Sequence, residues 1–168
     1  QDKYYHFILL AKDLIGAHQI MEISTRAWKR SYMGRGMRRV PTYYQDLIDI
    51  IQANPGHVIG SSACLGGALP TQLLKVKELL KEDKEKANKL QNKIYLWIQQ
   101  MINIFGRDNF YFELQPSETP EQTYVNRKVV DLSKELNMPY IITCDSNHLK
   151  KEDAPIHKAF LNSQNGER

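Results

Sequence analysis

Apolar residues in this chain fall into two kinds of pattern, short unbroken runs and longer stretches with apolar positions three or four apart. The runs HFILLA (His6 to Ala11), HVIGSSA from His57, FYFEL from Phe110 and PYIIT from Pro139 predict four strands. In FYFEL, Phe110, Phe112 and Leu114 share one face, and Tyr111 and Glu113 share the other. Between the runs the spacing turns helical. Asp13 can cap a helix carrying Leu14, Ala17, Ile20, Met21, Ala27 and Trp28. Thr42 and Gln45 form a capping-box pattern ahead of Leu47, Ile48, Ile50 and Ile51, and Asn54-Pro55-Gly56 closes that helix. One helix is predicted around Leu73 to Leu80, and another through Ala87, Leu90, Ile94, Trp97, Met101 and Ile104 up to Gly106. Thr119 as cap, Pro120 in the first turn and Gln122 reaching back start a helix that buries Val125, Val129, Leu132 and Leu136 and stops at Asn137. A final helix around Asp153 to Ser163 carries His157. Four strands separated by long helical connections predict an α/β fold with parallel pairing, in a barrel or a doubly wound sheet. No internal repeat, low-complexity segment or interdomain linker interrupts it.

Composition narrows the class. With 168 residues, 42% apolar and 25% charged, the chain can build one domain with a real core and is neither disordered nor a membrane protein. Its longest apolar stretches, FILLA and YII, are far too short to span a bilayer, and no signal peptide opens it, so the expected location is the cytoplasm. Two cysteines, Cys64 and Cys144, make no disulfide framework and read as free thiols. The chain lacks an initiating Met and enters its first strand within a few residues, which reads as an excerpt of something longer.

The net charge of +4 matters less than its distribution. Lys29, Arg30, Arg35, Arg38 and Arg39 fall in one stretch without an acid, flanked by Trp28, Tyr32, Tyr43 and Tyr44. Gly34 and Gly36 make this a mobile loop rather than a helix face. Such a loop can neutralise phosphates and offer rings for stacking, the footprint of nucleic-acid contact, or it can be a solvated loop with a few ion pairs.

Two strands end on potential metal ligands: Cys64 after HVIGSSA, and Asp145 with His148 after PYIIT. The C-terminal mouths of parallel strands are where α/β proteins usually place their chemistry. Imidazole, thiolate and carboxylate together suit zinc or manganese, ions that hydrolyse phosphate esters by activating water. Spacing alone leaves Cys64 open to a second role as a small core residue. Glu113, the one acid in an apolar strand, reads first as a carboxylate paired inside the fold. His18 on a helix and His57 opening a strand read as surface or capping residues.

The segments YHFILLAKDLIG, HVIGSSACLGG, FYFELQPSETPEQ and PYIITCDSNHLKKEDAPIH, in this order and spacing, resemble the polymerase and histidinol phosphatase (PHP) domain of the bacterial replicative DNA polymerase III alpha subunit. The resemblance covers essentially the whole chain. It implies one partial PHP domain over residues 1–168, a segment of a distorted (β/α)7 barrel whose opening strands precede Gln1. Carried over from the family's motifs, His6, Cys64 and Asp145 are metal ligands. Asn147 occupies the position of the family's final histidine, a degenerate ligand, with His148 one residue away as a substitute. The resemblance also implies a parent that is a DNA-directed DNA polymerase, using magnesium for synthesis and partnered by DNA, its own remaining domains and other replisome subunits.

Three functions follow as expectations: a non-catalytic PHP platform for DNA or partner contacts, a metal-dependent phosphoesterase acting as a 3'-5' proofreading exonuclease, and a stand-alone nucleic-acid-binding module using the basic stretch. An isolated segment of a barrel has open strand edges and is expected to be poorly soluble.

Overall fold

The computed structural model describes residues 4–34, 36–117, 119–144, 146 and 148–165. Strand β1 (Ile8–Ala11) leads into helix α1 (Leu14–Lys29), capped by the Asp13 side chain, which accepts from Gly16 N. The basic stretch is not an irregular loop. It folds into a hairpin, β2 (Tyr32–Gly34) and β3 (Met37–Arg39), with Gly36 at φ +75° turning the chain.

Helix α2 (Tyr44–Leu47) continues into a π-helical turn, Ile48–Gln52. Its start is not the Thr42–Gln45 pair. The box lies one residue on, where Asp46 accepts a hydrogen bond of 2.9 Å from Tyr43 N. Strand β4 (Val58–Ser61), helices α3 (Ala68–Glu82) and α4 (Lys84–Phe105), strand β5 (Phe110–Leu114), helix α5 (Pro120–Leu136), strand β6 (Tyr140–Ile142) and helix α6 (Ala154–Asn165) complete the described fold. Thr119 caps α5 by accepting from Gln122 N, and Asn137 ends it in the left-handed conformation (φ 50°).

The main sheet has the order β1-β4-β5-β6. Pairing of β4 with β5 and of β5 with β6 is parallel, as expected from their helical crossovers. The expectation of parallel strands fails at β1, which pairs antiparallel with β4. After α1, the hairpin and α2 with its π-turn, the chain enters β4 beside the end of β1, where Ala11 pairs with Val58. The hydrogen bond Lys12 N to His57 O (2.9 Å) marks that junction.

The register divides the sheet into two faces. Phe110, Phe112 and Val58 point into the core with the helical residues Ile23, Ile51, Leu69, Ile98, Met101, Phe105, Val125 and Val129, and Phe7, Leu9 and Leu114 pack against it. Phe110 is the hub of an aromatic cluster, with Phe7, Trp97, Phe105 and Phe112 all within 6.3 Å between ring centroids. Ile8, Leu10, Ile59, Tyr111 and Ile141 lie on the opposite face and are absent from this core. The described helices therefore cover one side of the sheet.

Candidate metal pair and basic hairpin

The antiparallel entry of β1 has a chemical consequence. His6 lies just before β1 and Cys64 just after β4, and the register Ile8↔Ser61 brings the start of one strand beside the end of the other. His6 Nδ1 lies 3.1 Å from Cys64 Sγ. Backbone contacts hold the approach: His6 N donates to Gly66 O at 3.0 Å, and Gly67 N donates to Cys64 O at 2.8 Å, closing a tight turn. The imidazole lies over this turn so closely that a Cβ on Gly66 would come within 3.0 Å of His6 Nδ1. Ala63, just before Cys64, adopts φ +58°, an uncommon conformation for a residue with a Cβ that costs of order 1–2 kcal/mol.

Beneath this turn lies a buried polar network. Glu113, 3% exposed, accepts from Ser61 Oγ (2.5 Å), Thr143 Oγ1 (2.6 Å) and Gln115 Nε2 (3.1 Å). Ser61 Oγ in turn accepts from Ala63 N at 3.2 Å, and Ser62 Oγ accepts from Glu113 N at 2.9 Å. Glu113 is thus a paired carboxylate, as its sequence context predicts, and it joins the ends of β4, β5 and β6. Asp145 and Asn147 lie outside the described residues. His148 is exposed, its ring nitrogen Nδ1 bonded to Lys150 O (2.8 Å) and its ring 6.0 Å from that of His157. Among the described residues no three His, Cys, Asp or Glu side chains gather as a metal cluster. The imidazole and thiol of the His6–Cys64 pair fit a zinc-type ion in kind, as part of a coordination shell.

The basic residues separate into different roles. Arg30 is not free for phosphate: it grips Asp46 through both guanidinium nitrogens (2.5 and 2.8 Å) and lies over the Tyr43 ring, 5.0 Å from its centroid. The bond to Arg30 holds the Asp46 carboxyl below the usual carboxylate range. Arg38 bonds Ser31 Oγ (3.1 Å), Arg39 sits 5.9 Å from the Tyr4 ring centroid, and Lys29 is exposed. Arg35 lies outside the described residues. Trp28, Tyr32, Tyr43 and Tyr44 are exposed beside them, and the Tyr44 hydroxyl accepts a 2.7 Å bond from Trp97 Nε1. A cavity of about 530 Å³, lined by Tyr4, Tyr5, Phe7, Pro41, Tyr43 and Tyr44 among others, opens at the base of the hairpin. His57 bonds Asp13 at 2.7 Å, a contact that lowers the Asp13 pKa and fixes His57 as part of a helix cap.

Comparison with known sequences gives the class: the chain belongs to the PHP domain family, whose model matches residues 1–117. Its relatives are polymerases. Over 167 residues it is 38% identical to the probable DNA polymerase YorL of Bacillus subtilis (strain 168), and equally to the DNA-directed DNA polymerase of Bacillus phage SPbeta, covering 99% of this chain. It is 31% identical over 163 residues to the DNA polymerase III subunit alpha of Aquifex aeolicus (strain VF5). The chain spans only 13% of the first two relatives and 12% of the third.

The resemblance placed His6 and Cys64 in one set of ligands, but how they meet was hidden from sequence reasoning, because nothing local announces the sense in which β1 joins the sheet. The serines were legible only in part: SSA ahead of Cys64 marks small polar residues entering a buried strand end, without saying which carboxylate they serve.

Proposed function

We propose that this chain is the PHP segment of a replicative DNA polymerase of the bacterial polymerase III alpha type, serving as a platform for DNA or for neighbouring parts of that enzyme. The observation that carries this reading is that the likeness to polymerases runs over 99% of the chain, past residue 117 where the PHP match stops. In this reading the sheet is one wall of a distorted (β/α)7 barrel, supported by the uncovered face carrying Ile8, Leu10 and Tyr111. The parent is then a soluble DNA-directed DNA polymerase that depends on magnesium and works with other replisome subunits. No described helix is long and apolar enough to cross a membrane.

The test is primer extension by the complete parent protein, with Arg38→Ala/Arg39→Ala as the variant. Template-directed synthesis with magnesium, and DNA binding by the variant that is weaker and less salt-sensitive, are the expected results. Absence of synthesis by the intact parent overturns the reading.

A second reading, a metal-dependent phosphoesterase acting as a 3'-5' proofreading exonuclease, is favoured by the 3.1 Å approach of His6 to Cys64. A bound zinc or manganese would supply an activated water and clamp phosphate oxygens. On this reading His6, Cys64 and Asp145 hold the ion, and an amide at Asn147 weakens the set. Cys64→Ala and Asp145→Ala in the parent should abolish metal-dependent removal of a mismatched 3'-terminal nucleotide. Unchanged removal would exclude it.

A further inference from the structure

Glu113 is almost wholly buried, and its sequence motif assigns it no chemistry. Its hydrogen bonds leave in three directions, and two of them run to the ends of neighbouring strands. One passes through Ser61 Oγ (2.5 Å) to Ala63 N (3.2 Å), the left-handed residue that aims Cys64. The other takes Thr143 Oγ1 (2.6 Å), whose backbone N also donates to Leu114 O (3.0 Å), at the point where the chain leaves β6. The third, Gln115 Nε2 at 3.1 Å, stays on its own strand. A carboxylate accepts from several donors at once, so one side chain can fix two strand ends that no backbone ladder ties directly to each other. The strands β4 and β6 are separated by β5 in the sheet.

We propose that Glu113 is a positioning residue for the metal pair: through Ser61 it holds Ala63 left-handed and thereby turns Cys64 onto His6. This rests on the phosphoesterase reading, because it gives Cys64 the role of ligand. Glu113 itself touches no ion. A core carboxylate serving stability alone would have no reason to reach the one strained residue beside the ligand. A supporting residue of this kind typically carries 10- to 100-fold of metal affinity.

The experiment uses the complete parent protein with cobalt(II) as probe, read by the near-ultraviolet band of cobalt bound to thiolate. A second readout is the rate at which iodoacetamide alkylates Cys64 in metal-free protein, with exposed Cys144 as internal reference. The variants are Glu113→Leu, Glu113→Gln and the milder Ser61→Ala, which removes only the limb toward Ala63. Expected for Ser61→Ala and Glu113→Leu is a roughly 10- to 100-fold loss of cobalt affinity, a weakened thiolate band and a several-fold change in Cys64 alkylation relative to Cys144. Glu113→Gln, which keeps one acceptor, should recover part of both. Wild-type affinity and alkylation rate in folded Ser61→Ala overturn the proposal even if Glu113→Leu fails to fold. If wild-type protein binds no cobalt, the metal reading falls by itself, and alkylation then decides whether Glu113 positions Cys64.

Discussion

At the scale of single residues, the hairpin region shows how a charged side chain can be recruited into the fold. Arg30 and Asp46 form a two-bond pair, with the Asp46 side chain only 4% exposed, and Asp46 also caps α2 through Tyr43 N. Asp46→Ala should lose roughly 1–3 kcal/mol, because it strands both a guanidinium and a helix N–H, as urea unfolding would measure. The pH dependence has a fixed sign. The folded pKa of Asp46 lies below its ordinary value of 3.8, so the stability it contributes is fully present above that value and is lost as pH falls through the lower folded one. Arg30→Gln should flatten this acid-side dependence in urea melts compared at neutral pH and below 3.8. Sequence could not separate Arg30 from Arg38 or Arg39, since the partner that removes it from the phosphate-binding set stands sixteen positions away on another helix.

At the scale of elements, the predicted helices and strands are present because their signals are local. Caps, a proline in the first turn and left-handed stops act within a few residues, as Asp13, Pro120 and Asn137 do here. What failed was set by longer paths. The hairpin replaced an expected loop because Tyr32, Met33 and Gly34 find partners in Arg39, Arg38 and Met37 across a turn, and short strands of this kind carry little hydrophobic pattern. The sense of β1 is fixed by pairings about fifty residues apart in the chain, Ile8 with Ser61 and Ala11 with Val58. The contact that seats α1 on β4 is equally invisible in sequence: a Cβ on Gly16 would stand 2.0 Å from the carbonyl oxygen of His57. Gly16→Ala must push α1 off the sheet at the capped end, where Asp13 also bonds His57. It should destabilise by about 1–3 kcal/mol or more, while Ala17→Gly, one position on, costs about 1 kcal/mol or less, as chemical denaturation of both variants would show.

At the scale of the whole molecule, the organising fact is the asymmetry of the sheet. Sheets with parallel strands are ordinarily covered on both faces, and here the described helices cover one. The other presents Leu10, 54% exposed, and Ile8, 37% exposed. The His6–Cys64 pair and the Glu113 network sit at one end of that open face, so whatever covers it also closes over the candidate site. Two substitutions make the argument measurable. In the isolated chain, Leu10→Lys and Ile8→Lys should suppress self-association in sedimentation experiments without lowering the melting temperature, because each places charge where water or another copy now sits. In the complete parent polymerase the same pair should lower the melting temperature, because there each lysine would be forced under a covering layer. A sign that reverses between the two proteins is what a barrel wall requires. The same sign in both would mean that this face is solvent-exposed in the parent, and that the candidate site works as an open platform.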